Sequence, residues 1–243
     1  MTSDTLIVTD SEGGVRTITL NRPDKRNALT TELTTALRDA LLDCDSDPEI
    51  RAVVLAGAGR GFCAGADLSE FTELTPDHAE RVVARAALTA ELQSLPTSLS
   101  VPVVAAVKGH AVGGGAGLAL ACDMIVVSDD VSFGYPEIKH DIVPALVMTG
   151  LQRHLGRKLG FELISTGRML GANEMSELGL ANEVVETGAE VARAQEIATS
   201  WAGRSSRALS AIKSLYYRVA DLPTAAAMDA GQDLNALMRS FRS

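Results

Sequence analysis

Aromatic residues are scarce in this chain of 243 residues: five Phe, three Tyr and one Trp, 4% in all. Hydrophobic residues nonetheless make up 46%, with Ala and Leu prominent, the balance of a helix-rich α/β protein large enough to bury one substantial core. Basic residues are also short, 22 Lys and Arg against 31 Asp and Glu, and the formal net charge of −9 excludes a general nucleic-acid footprint. Cysteines number three, Cys44, Cys63 and Cys122; odd and scattered, they suit neither a disulfide framework nor a metal knuckle and point to a reducing compartment. No apolar run approaches the length of a membrane span, since the longest, such as residues 101–107, have the length of buried strands. Residues 1–10 carry two acids and no Lys or Arg, unlike the start of a signal peptide, so the expected compartment is the cytoplasm, without membrane, nucleic-acid or metal partners.

What is present is a repeated local pattern. Leu6-Ile7-Val8-Thr9 and residues 15–20 alternate like two strands, and Gly13-Gly14 between them signals a hairpin. A polar, basic loop follows, Asn21-Arg22-Pro23-Asp24-Lys25-Arg26-Asn27. Leu33, Leu37, Ala40, Leu41 and Cys44 then recur at helical spacing behind a threonine cap. Residues 52–56, 101–107 and 124–127 are short runs of small and β-branched residues, as in strands buried on both faces. The first two run into glycines, at Gly57, Gly59 and Gly61 and at Gly109 and Gly113-Gly114-Gly115. Strand, glycine-rich turn and helix in succession predict a spiral of βαβ or ββα units with ligand chemistry at the turns, without any repeat in the sequence itself. Beyond about residue 145 helices take over. The expected division is a core over residues 1–200 and a helical C-terminal region over 201–243.

The glycine turns fit neither nucleotide motif. Gly57-x-Gly59-x-Gly61 is followed by Phe62 where a dinucleotide fingerprint has spacing for another glycine, and no Gly-Lys-Ser/Thr ends a phosphate loop. Two readings remain: close helix–strand packing that needs small residues, or an anion site built from backbone N–H groups. In the second, the first turn of a helix opening at Gly113 to Gly115 supplies one donor and the Ala64-Gly65-Ala66 turn another.

Taken together, the turns resemble one family. Leu20-Asn21-Arg22-Pro23, Asn27-Ala28-Leu29, Gly61-Phe62-Cys63-Ala64-Gly65-Ala66-Asp67-Leu68, the 101–107 strand with Lys108-Gly109-His110-Ala111-Val112-Gly113-Gly114-Gly115, Ala121-Cys122-Asp123, Phe133-Gly134-Tyr135-Pro136-Glu137-Ile138, Thr166-Gly167-Arg168 and Gly179-Leu180-Ala181-Asn182-Glu183-Val184-Val185 match the crotonase (enoyl-CoA hydratase/isomerase) superfamily in order and spacing over roughly residues 5–220. The resemblance implies an α/β crotonase-like spiral of ββα units with a helical C-terminal region that covers the CoA and joins subunits, as a homotrimer or a dimer of trimers. It implies an acyl-CoA substrate and no cofactor beyond the CoA of that substrate. By motif, the peptide N–H groups of Ala66 and Gly114 would polarise the thioester carbonyl. Lys25, Arg26, Ala28, Ala64, Gly65, Asp67, Leu68, Gly113 and Tyr135 would meet the CoA or the acyl chain, with Lys213 a further candidate for the CoA phosphates.

Hydratases of the family carry two glutamates. The second is present as Glu137; the first, two residues after the triple glycine, is replaced by Gly117. One carboxylate can take a proton from one carbon and return it at another, which suffices to move a 3-enoyl double bond to the 2-position. The expected reaction is therefore isomerase-like, with hydration of a short or branched 2-enoyl-CoA as the alternative and a noncatalytic acyl-CoA-binding paralogue as a further one. Asp141 and His140 are candidate auxiliaries, Asp141 either replacing the missing acid or raising the pKa of Glu137 by like charge. A rival on the same fold, a serine peptidase, would need a Ser/His/Asp set, for which Ser128 and Ser132 are the available hydroxyls.

Overall fold

A computed structural model describes residues 5–72 and 75–239. The chain opens with β1 (Ile7–Glu12) and β2 (Val15–Leu20), an antiparallel hairpin turning through Gly13 and Gly14, both at positive φ. Helix α1 (Thr31–Ser46) follows, and the Thr30 hydroxyl caps it by accepting the Leu33 N–H at 3.1 Å. Strand β3 (Ala52–Gly57), helix α2 (Ala79–Ser98), strands β4 (Val103–Val107) and β5 (His110–Val112), and helix α3 (Gly114–Ala121) form the middle of the chain. Then come β6 (Met124–Ser128), β7 (Ser132–Gly134), α4 (Val147–His154), α5 (Arg157–Thr166), β8 (Met169–Leu170), α6 (Ala172–Glu177), β9 (Glu183–Val185), α7 (Glu190–Ala202), α8 (Ser206–Val219) and α9 (Thr224–Met238).

Two sheets result. The larger has the order β1-β2-β3-β4-β6-β9, parallel from β2 onward, and the smaller has the order β5-β7-β8. Each turn of the spiral contributes a strand to the large sheet, a shorter stretch to the small one, then a helix. After β3 the short stretch is a single bridge from Cys63 to Ala111; after β4 it is β5, and after β6 it is β7. The ββα spiral read from the sequence is thus the architecture, with its repeat in backbone geometry alone.

All six β3 residues are buried, and alternation sends them to opposite faces. Val53 and Leu55 join Leu33, Leu37 and Leu41 of α1, whereas Ala52, Val54 and Ala56 meet Ala194, Ile197 and Ala198 of α7. Each such leucine contributes about 1.5–3 kcal/mol by leaving water. The exposed, polar outer strand β1 blunts the sheet's edge.

The core runs slightly past the division expected at residue 200, because Trp201 and Ala202, the end of α7, still pack against the sheet. Helix α8 is tied down by Lys213, only 6% exposed, whose ammonium donates to Pro96 O, Val101 O and Asp123 Oδ2 at 2.6–2.8 Å. That lysine is a buried staple and not a free phosphate ligand. No helix among the described residues is long and apolar enough to cross a membrane.

Candidate active site

The glycine turns converge on a cavity of about 370 Å³. Its first wall is backbone. The basic loop folds back on the Ala64-Gly65-Ala66 turn: Ala64 N–H donates to Arg26 O at 3.0 Å, Leu29 N–H to Gly65 O at 2.7 Å, and Asp67 N–H to Leu29 O at 3.1 Å. On the other side Val112 N–H donates to Cys63 O and Gly113 N–H to Gly134 O, at 3.0 and 2.8 Å. Those bonds commit the amides of Ala64, Asp67, Val112 and Gly113, while the N–H groups of Ala66 and Gly114, both lining the cavity, have no acceptor among the described residues. They are close together: a Cβ on Gly114 would lie 3.7 Å from Ala66 N, and one on Gly65 (φ +84°) would stand 2.6 Å from Val112 O and 3.1 Å from Gly114 N. Only glycine at 65 lets the two turns approach so nearly.

The loop's conformation is locked from beneath. Asn27 is fully buried with φ +55°; its amide donates to the carbonyls of Ala58, Gly61 and Phe62 at 2.9–3.1 Å, and its Oδ1 accepts the Arg22 N–H at 2.9 Å. Arg22 in turn pairs with Asp67 at 3.0 Å and donates to Ala28 O. Hydrogen bonds from Ser69, and then the Arg22 guanidinium, hold the Asp67 carboxyl below the usual carboxylate range. Asp67 therefore organises the turn; its carboxylate is already engaged. Ala28 is half-buried, and Lys25 and Arg26 lie exposed on the outer side of this loop.

The opposite wall is a carboxylate. Pro136 starts a single turn of 3-10 helix after β7, and Glu137 from that turn leans over Gly113. A Cβ at 113 would collide with Glu137 Oε1 and sit 3.1 Å from its Cδ, so glycine there, at φ +52°, makes room for the carboxylate. Glu137 Oε2 is buried without a hydrogen-bond partner, and burial raises the carboxyl's pKa above the ordinary glutamate value. Asp141 takes no part in that rise: it closes the 3-10 turn with φ +57°, exposed and away from the cavity lining. His140 does line the cavity.

Tyr135 differs from expectation. It is wholly buried behind Glu137, edge-on to Phe133 with centroids 6.1 Å apart, and does not line the cavity. Burial and the nearby Glu137 carboxylate both raise its phenol's pKa, so it stays protonated. His110 lies under Gly61 rather than in the cavity, its Nε2 3.4 Å from Arg26 O. Ser128 is buried and bonded to Asp130 and the Val107 carbonyl, with no histidine partner, which removes the peptidase constellation there. Burial pushes the Cys63 thiol up to about 12, and all three cysteines are free and buried.

Sequence reasoning missed the rest of the lining. One face of α2 contributes Val82, Arg85, Ala86, Thr89, Leu92 and Gln93; their three- and four-residue spacing was the available signal. Arg85 donates to Leu29 O at 2.9 Å, bracing the donor turn. Residues 142–147 close the cavity beside Glu137 with apolar side chains throughout and carry no motif.

This arrangement has counterparts. The family model for enoyl-CoA hydratase/isomerase matches residues 10–240. A Thermus thermophilus relative, provisionally named an enoyl-CoA hydratase, is 37% identical over 241 residues, 95% of each chain. A Clostridium acetobutylicum protein named short-chain-enoyl-CoA hydratase is 34% identical over 194 residues, 79% of this chain and 73% of its own. The crystal structure of an enoyl-CoA hydratase from Mycobacterium smegmatis superposes with a TM-score of 0.89 at 33% identity, covering 97% of this chain and 91% of that one. With two backbone donors and a carboxylate gathered at the spiral's turns, and these matches across nearly the whole chain, the protein is an enzyme belonging to the enoyl-CoA hydratase/isomerase family of crotonase fold.

Proposed function

We propose that this enzyme moves a proton between carbons of an enoyl-CoA thioester, using Glu137 as its single acid/base, and that its favoured reaction shifts a 3-enoyl double bond to the 2-position. The observation that carries this reading is a carboxylate whose Oε2 is buried without a hydrogen-bond partner, beside two backbone donors likewise without one among the described residues, in a largely apolar cavity with glycine where a second acid would stand. The thioester oxygen accepts the N–H groups of Ala66 and Gly114, each worth about 3–4 kcal/mol as negative charge develops there. Glu137 removes a proton from the α-carbon, the electrons pass to the oxygen as an enolate, and the proton returns at the γ-carbon. The raised pKa helps, because a stronger carboxylate base takes the carbon-bound proton more readily.

Apolar side chains from α2 and residues 142–147 suit an acyl chain, while Ala64, Gly65 and Leu68, also lining the cavity, suit a pantetheine arm. Lys25 and Arg26, exposed beyond that turn, suit the CoA phosphates. Exposed Ile212, Tyr216 and Met228 on α8 and α9 suit an assembly surface between copies of the chain. Hydration of a 2-enoyl-CoA is the second reading, favoured by the relatives' names; it asks one carboxylate to manage the water as well.

Purified protein offered 3-hexenoyl-CoA and crotonyl-CoA side by side decides the matter. Faster appearance of the conjugated product than loss of the crotonyl chromophore supports isomerisation, and the reverse supports hydration. Glu137→Gln should lower either rate by roughly 10²–10⁴-fold. Binding of a CoA thioester with no α-proton exchange in deuterated water would overturn both.

A further inference from the structure

The notch over Gly117, which this family's hydratases fill with their first glutamate, is filled here from another helix. Gln93 of α2 reaches across it: a Cβ on Gly117 would collide with Gln93 Oε1, and would lie 3.2 Å from Gln93 Cδ and 3.1 Å from Val147 Cβ. The same carboxamide donates through Nε2 to Gly114 O at 2.9 Å. That partner fixes the amide's orientation, because only its NH₂ end can donate to a carbonyl. Gln93 is half-buried, lines the cavity, and its Oε1 accepts no hydrogen bond from any described residue.

Gly114 sits between two other glycines, the residues with the widest backbone freedom, and its N–H is one of the two proposed donors. A donor that must point at a developing oxyanion contributes most when it is held in place beforehand. We propose that Gln93 is the positioning residue of this oxyanion hole: its carboxamide takes the place of the second acid and clamps Gly114 through its carbonyl. The inference rests on the reading of Ala66 and Gly114 as thioester donors. It also explains how the site functions with one carboxylate, since a neutral amide stands where a second negative charge would oppose ionisation of Glu137. Gly117 and Gln93 are then one device: the bare helix position admits the amide, and the amide secures the donor three residues earlier.

The test compares Gln93→Met, which keeps the bulk and removes the donor, with Gln93→Ala, Gly117→Ala and the double variant carrying both alanines. Two readouts are taken on folded protein: steady-state kinetics on whichever enoyl-CoA the wild type turns over, and the enolate absorbance of bound acetoacetyl-CoA at saturation, which reports polarisation by the donors. Gln93→Met should lower kcat about 3–10-fold, the range of one net hydrogen bond, with little change in KM and a weaker enolate band. Gly117→Ala adds the Cβ that displaces the amide and should cost a similar factor, although alanine favours the helix. The two alanines together should lose no more than the worse single, because both break one contact. Wild-type kcat and a full enolate band in Gln93→Met would overturn the clamp. Should that variant fold poorly, multiplicative losses in the alanine cycle would overturn it equally. Because the enolate band needs no turnover, a wild type that shows it yet converts neither thioester counts against the proposed reaction and not against the clamp. A wild type that shows no band counts against the donor pair, and the clamp falls with it.

Discussion

The two walls of the cavity are built on opposite terms. The donor wall is held by a dense set of bonds: Asn27, Arg22, Asp67 and Arg85 each brace it, and the amides of Ala64, Asp67, Val112 and Gly113 are committed while those of Ala66 and Gly114 have no acceptor among the described residues. The carboxylate wall is braced far less: Glu137 Oε2 is buried with no hydrogen-bond partner among the described residues, and its own backbone N–H offsets the effect of burial only in part. A backbone donor gains strength from being fixed in direction, whereas a carboxylate gains basicity from having nothing to stabilise its charge. Damage to the first wall should therefore register in stability as well as in rate, and damage to the second in rate and in pH dependence.

The largest effect is expected at Asn27. Alanine there removes three donated hydrogen bonds and leaves a β-carbon residue at φ +55°, where alanine is strained. Unpaired buried carbonyls cost about 1–3 kcal/mol and the left-handed conformation about 1–2 more, so Asn27→Ala should lose about 2–5 kcal/mol of stability. For a chain of this size that corresponds to a fall of roughly 4–20 °C in Tm. Calorimetry checks it. If Tm holds while activity falls, the donor wall is less braced than its bonds indicate, and the contrast between the walls weakens.

Gly113 is the seam between the walls, which makes it the sharper probe of rate. A Cβ there would strike the Glu137 carboxylate and force the base away from the donors. Displacement of a catalytic group by about 1 Å can cost about 10²-fold, so Gly113→Ala should lower kcat by about that factor. Alanine at φ +52° and ψ −113°, a conformation that glycine alone adopts readily, also carries a stability cost, so Tm is measured beside kcat and the rate is compared on folded protein. Equal kcat in Gly113→Ala and wild type would show that Glu137 works from another position.

The unequal legibility of the walls has the same origin. Backbone donors need glycine and small residues at fixed offsets, so Ala64-Gly65-Ala66 and Gly113-Gly114-Gly115 announce themselves in the sequence, and the strands leading to them show as β-branched runs. Glu137 was legible through the segment from Phe133 to Ile138, and the missing acid at Gly117 through a departure from the pattern that follows the triple glycine. What filled the vacancy was not legible, because Gln93 lies 24 positions earlier on a helix with only a weak apolar stripe, and its reach depends on how α2 packs over α3. Tyr135 misled for a related reason: strand alternation after β7 turns it inward toward Phe133 while the proline-led turn carries only Glu137 to the cavity. Lys213 looked like a phosphate ligand because sequence cannot show three oxygens already waiting for it.

The smallest effect separates the walls most cleanly. Burial raises the Glu137 pKa in the folded protein, while in the unfolded chain it returns to the ordinary glutamate value of about 4.3. A carboxyl raised on folding stabilises the fold below the unfolded pKa, and that contribution is lost as pH rises through the folded pKa. At neutral pH the ionised Glu137 is thus a liability to the fold, one that Glu137→Gln removes. The variant should have a higher Tm than the wild type near neutral pH, with the gap closing as pH falls to the ordinary glutamate value. Over the same interval the wild type's kcat/KM should fall with acid, its limb lying above the ordinary glutamate pKa because the base must be ionised to act. The other ionisable groups lining the cavity are Arg85, engaged with Leu29 O, Thr89 and Glu70, and His140. A His140→Gln variant that keeps the limb unchanged assigns it to Glu137; a limb that disappears with His140 would instead make the histidine the titrating base and leave the carboxylate wall without its defining property.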